Sequence, residues 1–182
     1  MRILGVDPGT LFTGYAVIEG IGGRLGILKC DVIKNPSRNS LPLRLKNIYD
    51  TLVEVIDEYL PDEFAIETAF YSKNVQSTLK LGHARGVSIL AAVNKQIPTA
   101  EYSPKEIKKS VVGVGSASKE QVRYMVCSLL KTKLPSKSLD ISDAIAVALC
   151  HYNKLSNFST RSSKWEDFVK QNPKRVKIYS SK

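Results

Sequence analysis

Two short apolar runs in this chain each stop on an acid. Arg2-Ile-Leu-Gly-Val-Asp7 ends where Pro8-Gly9 forces a turn, and Glu63-Phe-Ala-Ile-Glu67, following Leu60-Pro61-Asp62, again ends on its acid. Apolar runs of this length bounded by turn residues read as buried strands of an α/β sheet. Asp7 and Glu67 are therefore expected at the carboxyl ends of two strands. A second pair of acids opens the run Asp140-Ile-Ser-Asp-Ala-Ile-Ala-Val-Ala-Leu149. A spacing of three places Asp140 and Asp143 on one face of a helix whose opposite face is apolar.

Each acid alone has an ordinary reading. Asp-Pro-Gly is a common turn, Glu67 could be an exposed strand-end charge, and Asp140 and Asp143 could favour a helix N-terminus by capping and through the macrodipole. The set is harder to dismiss, because an acid follows the apolar stretch of two separate strands and the helical pair points away from its own apolar face. Gathered together, such carboxylates would raise one another's pKa values unless cations bound among them. A hard divalent ion held by carboxylates, water and substrate phosphate resolves that conflict.

Periodicity along the chain predicts strands near 2–7, 12–19 and 24–34, the last two joined through Gly20-Ile-Gly22-Gly23, as a three-strand antiparallel opening. A helix follows over about 40–59, with Leu45, Ile48, Leu52, Ile56 and Tyr59 in one stripe. After the strand ending at Glu67 and the loop 68–74 comes a helix over about 75–95, in which Gly82, Ala84, Gly86, Ala91 and Ala92 would let another backbone approach, either the sheet or a second subunit. A strand near 97–102, a short helix at 104–111 and a flexible turn at 113–118 precede a helix over 119–131, which Ser118 and Gln121 open as a capping box. From Leu155 the periodicity fades, and seven Lys/Arg against two acids supply +5 of the total charge. The expected organisation is a single domain over 1–154 and a basic, flexible tail over 155–182.

The chain has 182 residues, 43% of them hydrophobic, enough for one good core. Its net charge of +10 favours a polyanionic partner. No stretch approaches 18 apolar residues, which argues against a membrane span, and the N-terminus runs directly into a strand, so a cytoplasmic protein is expected. Cys30, Cys127 and Cys150 are odd in number and embedded in apolar patterns, which suits reduced core thiols rather than disulfides or zinc ligands.

The order βββαβαβα, with acids after the first and fourth strands and on the last helix, is a ribonuclease-H-like arrangement: an α/β fold with a mixed five-stranded sheet flanked by helices. That fold hosts several activities, and the residues narrow it. Ile3-Leu-Gly-Val-Asp-Pro-Gly-Thr-Leu-Phe-Thr-Gly-Tyr15, Ala65-Ile-Glu67 with Phe70, Lys80-Leu-Gly-His-Ala-Arg-Gly86, Lys108 ahead of Val111-Val-Gly-Val-Gly-Ser-Ala117, Lys119, and Asp140-Ile-Ser-Asp-Ala144 resemble the RuvC Holliday-junction resolvase family, in order, over about residues 1–153.

The resemblance implies a homodimeric endonuclease that recognises four-way DNA junctions and cuts two strands of like polarity symmetrically, leaving ligatable 5′-phosphate and 3′-hydroxyl ends. It implies Mg²⁺, with Mn²⁺ able to substitute and two ions per site, and it places the catalytic and metal-holding acids on Asp7, Glu67, Asp140 and Asp143. Lys108 and Lys119 match positions close to the DNA backbone, and Phe70 matches an aromatic that stacks on an unpaired base. Tyr71 either assists Phe70 or covers the core. Arg85 either meets DNA or pairs across the dimer. The family also acts with the RuvA–RuvB branch-migration complex. The basic tail would contact phosphate or merely solubilise the chain, and Trp165 with Phe168 marks a short docking segment within it.

Two rival functions share these features. Asp7-Pro-Gly-Thr10 also resembles the first phosphate loop of actin-like ATPases, but those need a second domain and a second glycine-rich loop that this chain lacks. A non-catalytic junction-binding module would show the same basic surface, though an intact acid set has no purpose there.

Overall fold

The structure, a computed structural model, describes residues 1–68, 75–134 and 139–171. The chain divides into two compact units, Met1–His151 and Tyr152–Lys182. The first holds strands β1 (Arg2–Asp7), β2 (Phe12–Ile21), β3 (Arg24–Lys34), β4 (Glu63–Glu67) and β5 (Thr99–Tyr102) and helices α1 (Leu41–Tyr59), α2 (Val75–Asn94), α3 (Pro104–Val112) and α4 (Lys119–Leu129). It also holds the beginning of α5 (Leu139–Gln171).

The sheet order is β3-β2-β1-β4-β5. β1 pairs antiparallel with β2 and β2 with β3, whereas β4 runs parallel to both β1 and β5. This is the mixed five-stranded sheet expected from the sequence. Gly22 and Gly23 close the β2–β3 hairpin with φ of 56° and 78°, the left-handed pair a two-residue turn of this kind requires. β5 begins two residues later than the apolar pattern predicts. Ile97 donates its N–H to the carbonyl of Ala92 at the end of α2, and Pro98 has no N–H to give a ladder.

Side chains alternate between the two faces of the sheet. Leu4 and Val6 of β1, Tyr15 and Val17 of β2, and Phe64 and Ile66 of β4 form one buried cluster with Ile48, Leu52, Val55 and Ile56 of α1 and Ala84, Ala91 and Ala92 of α2. The other face therefore carries Gly5, Asp7, Gly14, Ala16, Ala65 and Glu67. There α5 comes directly against the backbone at Gly5 and Gly14. A Cβ on Gly5 would fall 2.4 Å from the carbonyl oxygen of Ala144 and 2.8 Å from Cβ of Ala148, and one on Gly14 would fall 2.2 Å from the carbonyl oxygen of Asp140.

α3 and α4 each start with a capping box, Ser103 with Glu106 and Ser118 with Gln121, the second as the sequence predicts. α5 stays helical through Gln171, well past Leu155 where the periodicity fades. No Gly or Pro interrupts 139–171, so nothing in that stretch carries the large helix penalty that would stop it. The side chains of Trp165 and Phe168 lie outside the described residues. None of the three cysteines forms a disulfide, but only Cys150 is fully buried; Cys30 and Cys127 are half-buried. No helix among the described residues is long and apolar enough to cross a membrane.

The glycine seat under α5 predicts a position-specific cost. Gly14→Ala should lower the unfolding free energy by about 1–3 kcal/mol, as overpacking of a tight site does. Gly26→Ala, on β3 with nothing within 4 Å of its added methyl, should change it by less than about 0.5 kcal/mol. Denaturant unfolding of both variants tests this, and equal effects would show that α5 is not seated on Gly14.

Candidate active site

Strand register brings the first two acids together. In the parallel β1–β4 ladder Val6 is opposite Ile66, so the next residues, Asp7 and Glu67, are neighbours. Adjacent strands lie about 4.8 Å apart, and both residues are on the face that α5 covers. The two carboxylates thus emerge side by side at the carboxyl edge of the sheet, where open α/β sheets carry their sites.

The helix supplies the other pair. Asp7 is opposite Gly14 in the β1–β2 ladder, and the missing side chain of Gly14 is what lets the backbone of Asp140 settle over β2. Asp143 follows one turn later with only 12% of its side chain exposed. Ser142, buried between the two acids, donates its hydroxyl to the carbonyl of Leu139 at 2.8 Å and braces the first turn. Lys119, the first residue of α4, donates from Nζ to Oδ2 of Asp143 at 2.6 Å.

At this proximity the charges act on one another. Burial first, then the charges of Glu67 and Asp143 and, more weakly, of Asp140, push the Asp7 carboxyl well above the ordinary carboxylate range, against a partial pull from Lys119. Glu67 is pushed up to about 7 by burial and then by Asp143, with Lys119 and Lys108 opposing. Burial alone would lower the Lys119 ammonium, but its hydrogen bond to Asp143 and the charges of Asp143, Asp7 and Glu67 more than offset this and raise it. Negative charge here exceeds the positive charge the chain supplies.

Between α3, α4, α5 and the end of β4 lies a cleft of about 270 Å³. Its polar lining is Glu67, Asp143, Lys108 and Lys119, and Pro104, Ile107, Val122 and Ala146 form an apolar wall. Among the described residues no three His, Cys, Asp or Glu side chains are already drawn into a metal-holding cluster; Glu67 and Asp143 border the cleft, and the Lys119 ammonium sits against Asp143 as a counter-charge. Oxygen donors carrying uncompensated charge are nonetheless the ligand chemistry of a hard divalent cation, so the residues fit such an ion in donor type and in charge.

The structure thus gathers Asp7, Glu67, Asp140, Asp143, Lys108 and Lys119. It does not bring Arg85 to them: that guanidinium pairs with Glu101 of β5 and does not line the cleft. Phe70 and Tyr71 lie outside the described residues. A brace that the sequence reading missed holds the turn after Asp7. Thr13, fully buried, donates its hydroxyl to the carbonyl of Gly9 at 2.5 Å. Asn35, also buried, donates to the carbonyl of Thr10 at 3.2 Å and accepts from Asn47 of α1 at 2.9 Å. The only sequence signal was a polar pair, Thr13 and Asn35, bordering otherwise apolar strands.

Known proteins resemble this chain in sequence and fold. The family described as crossover junction endodeoxyribonuclease RuvC matches residues 3–151. The crossover junction endodeoxyribonuclease RuvC of Salinibacter ruber is 46% identical over 177 residues, covering 97% of this chain and 99% of that protein. The solved structure of Thermus thermophilus RuvC superimposes with a TM-score of 0.77 at 30% identity, covering 86% of this chain and 96% of the other. The same protein in complex with Holliday junction substrate gives 0.80 at 29% identity, covering 85% and 94%. With the family matching across the whole α/β unit and a relative so similar over nearly its entire length, the chain belongs to the crossover junction endodeoxyribonuclease RuvC family.

Proposed function

We propose that the protein is an endonuclease that resolves Holliday junctions, and that Asp7, Glu67, Asp140 and Asp143 are its metal-holding catalytic acids. The observation that carries this reading is the convergence of acids from two strand ends and one helix, with Glu67 and Asp143 lining a cleft and Asp7 close enough to feel their charge and that of Asp140. A non-catalytic junction binder has no use for such a cost in like-charge repulsion.

Mg²⁺, or Mn²⁺ in its place, bound as two ions, would lower the pKa of an attacking water and neutralise the leaving 3′-oxygen. Asp7, Glu67, Asp140 and Asp143 would hold those ions, whose charge would attract the scissile phosphate to the carboxyl edge of the sheet. Lys119, whose ammonium donates to Asp143, would stabilise the charge that grows on the phosphate in the transition state. Lys108, on the same cleft, adds to that field. The apolar wall of Ile107 and Val122 excludes water and so strengthens each of these interactions. Phe70, with Tyr71, is assigned to base stacking at the crossover, worth about 1–3 kcal/mol per base. Arg85, engaged by Glu101, would have to give up that partner to reach DNA. The basic segment 155–182 adds sequence-independent phosphate attraction, and by family likeness the enzyme works with RuvA–RuvB in the cytoplasm.

Symmetric cleavage requires two sites, and α2 offers a face for a second copy. Val75, Leu79, Gly82, Gly86, Leu90 and Val93 recur at helical spacing on its exposed side, with Leu79 59% and Leu90 50% exposed. Cβ atoms added at Gly82 and Gly86 would meet nothing within 4 Å, leaving a shallow track in which another helix can approach closely. Paired nicks of like polarity with 5′-phosphate and 3′-hydroxyl ends then follow from two clefts related by a two-fold axis.

Three outcomes test this reading. Asp7→Asn should bind a four-way junction within about twofold of wild type in a gel-shift assay with EDTA. Its metal-dependent cleavage should fall by about 100-fold or more, since even residues one step removed from a metal cost 10–100-fold; loss of binding would mark Asp7 as structural. Leu90→Lys should sediment as a monomer and convert a cruciform plasmid to nicked circles rather than to linear product; a variant that stays dimeric places the interface elsewhere. The third outcome is a pH dependence. Glu67 has a folded-state pKa raised from 4.5 to about 7, so the folded protein holds its proton over that window while the unfolded chain releases it, and stability is lost as pH rises through it. In EDTA the thermal midpoint of wild type relative to Glu67→Gln should therefore fall between about pH 4.5 and 7, and a divalent ion should restore more at pH 7 than at pH 5. A relative midpoint that rises over the window would contradict the buried, repelled Glu67.

A further inference from the structure

α5 rests on β1 and β2 through glycine and alanine backbone. The buried Ile141, Ile145 and Leu149 of the same helix add apolar packing, which is non-directional. The acids Asp140 and Asp143 ride on that helix, and a shift of about 1 Å in a reacting group can cost 100-fold. A directional contact fixes such a helix lengthwise more sharply than apolar packing does.

A buried polar bridge stands where such a lock would act. Tyr102, the last residue of β5, places its hydroxyl 2.7 Å from Nδ1 of His151 on α5, and Nε2 of His151 lies 3.4 Å from Oε2 of Glu63 at the start of β4. Tyr102 and His151 are 6% and 4% exposed. The hydrogens follow from the donor inventory. A carboxylate only accepts, so Nε2–H faces Glu63, and the free lone pair of Nδ1 takes the Tyr102 hydroxyl hydrogen. Burial first, then the neighbouring Cys150, Glu106 and Glu63, push the Tyr102 phenol up to about 12, so it stays a donor.

Tyr102 also touches the other half of the cleft. It is opposite Glu67 in the β4–β5 ladder, and its carbonyl accepts from the backbone N–H of Thr68 at 2.8 Å and from the Thr68 hydroxyl at 3.3 Å. One residue thus holds the chain directly after Glu67 and, through His151, the helix that carries Asp140 and Asp143. His151 is eight residues beyond Asp143, about 12 Å along the helix, and eleven beyond Asp140, which returns it to nearly the same face.

We propose that Tyr102, His151 and Glu63 are positioning residues for the acid cleft: their bridge locks α5 in one axial position over the sheet and so sets how far Asp140 and Asp143 stand from Asp7 and Glu67. The proposal rests on the metal-dependent reading of the cleft. Its consequence is specific. Breaking the bridge leaves every acid in place but spoils their common geometry, so affinity for the divalent ion suffers while the DNA-binding surface does not.

The test uses the full chain and Mn²⁺ as probe. The Mn²⁺ concentration giving half of the maximal thermal-midpoint rise is measured beside the cleavage rate on a four-way junction and junction affinity in EDTA. Tyr102→Phe keeps the ring and loses the hydroxyl; it should raise half-saturation about 10-fold, as loss of a group supporting a metal ligand does, and slow cleavage at saturating Mn²⁺, with junction affinity unchanged. His151→Leu should do the same. His151→Asn, whose amide oxygen can stand in for Nδ1, should recover most of the loss. Val126→Ala, a fully buried position on α4, should lower the thermal midpoint without moving half-saturation. Wild-type half-saturation in Tyr102→Phe, or an equal rise in Val126→Ala, overturns the inference alone. A wild type with neither a thermal response to Mn²⁺ nor metal-dependent cleavage overturns the metal reading and the inference together.

Discussion

The contact on which the rest of the structure depends is the seating of α5 on two glycines. Gly5 and Gly14 remove the side chains that would hold the helix away, and the backbone of Asp140 and Ala144 enters that space. With ordinary side chains at both positions the axis would stand at the usual packing distance of 8–10 Å or beyond, and Asp140 and Asp143 would belong to a different surface from Asp7 and Glu67. A fold usually gains from such proximity by burying apolar area. Here the contact also forces carboxylates together, which is unfavourable, so the core beneath must carry the difference. Large side chains on the opposite face, from Leu4, Val6, Phe64 and Ile66 against Ile48 and Leu52, supply it.

That division of labour explains why the two sheet faces differ so strongly. One is packed with large apolar residues and is concerned only with stability; the other is Gly- and Ala-rich along β1 and β2 and ends in acids. Because β-strand side chains alternate, both demands are written into the same short strands. Leu4 and Val6 serve one face while Gly5 and Asp7 serve the other, and a one-residue register slip would exchange them. The acid-bearing edge and the core therefore cannot be adjusted independently.

Much of this was readable before any coordinates. Strand-end acids, the one-turn spacing of Asp140 and Asp143 and the Ser118 cap are local patterns, fixed by periods of 2 and 3.6 and by capping chemistry, and all appear where the sequence puts them. Long-range pairings were not readable. Nothing local joins Tyr102 to His151, Asn47 to Asn35, or Arg85 to Glu101, because each pairing depends on how separate elements are stacked. The demand on Gly14 comes from α5 above it, which no local pattern in β2 signals. The extent of α5 is hidden for another reason: the polar segment after Leu155 has no apolar stripe, yet without Gly or Pro the backbone stays helical through Gln171.

The Lys119–Asp143 pair shows how the site tolerates its own charge. A lysine ammonium is a compact monovalent cation on a flexible stem, and with 55% of its side chain exposed it can leave without unfolding anything. It therefore neutralises part of the acid cluster while remaining displaceable, unlike an arginine held in a bidentate fork, whose departure would break two directed bonds. The charge that steadies Asp143 is thus carried by a side chain still open to solvent. Because Lys119 opens α4 beneath the Ser118 cap, its backbone is fixed even when its ammonium changes partners. The partner exchange is thus confined to one side chain, and the positions of the acids, set by strand register and by the helix seat, need not change with it.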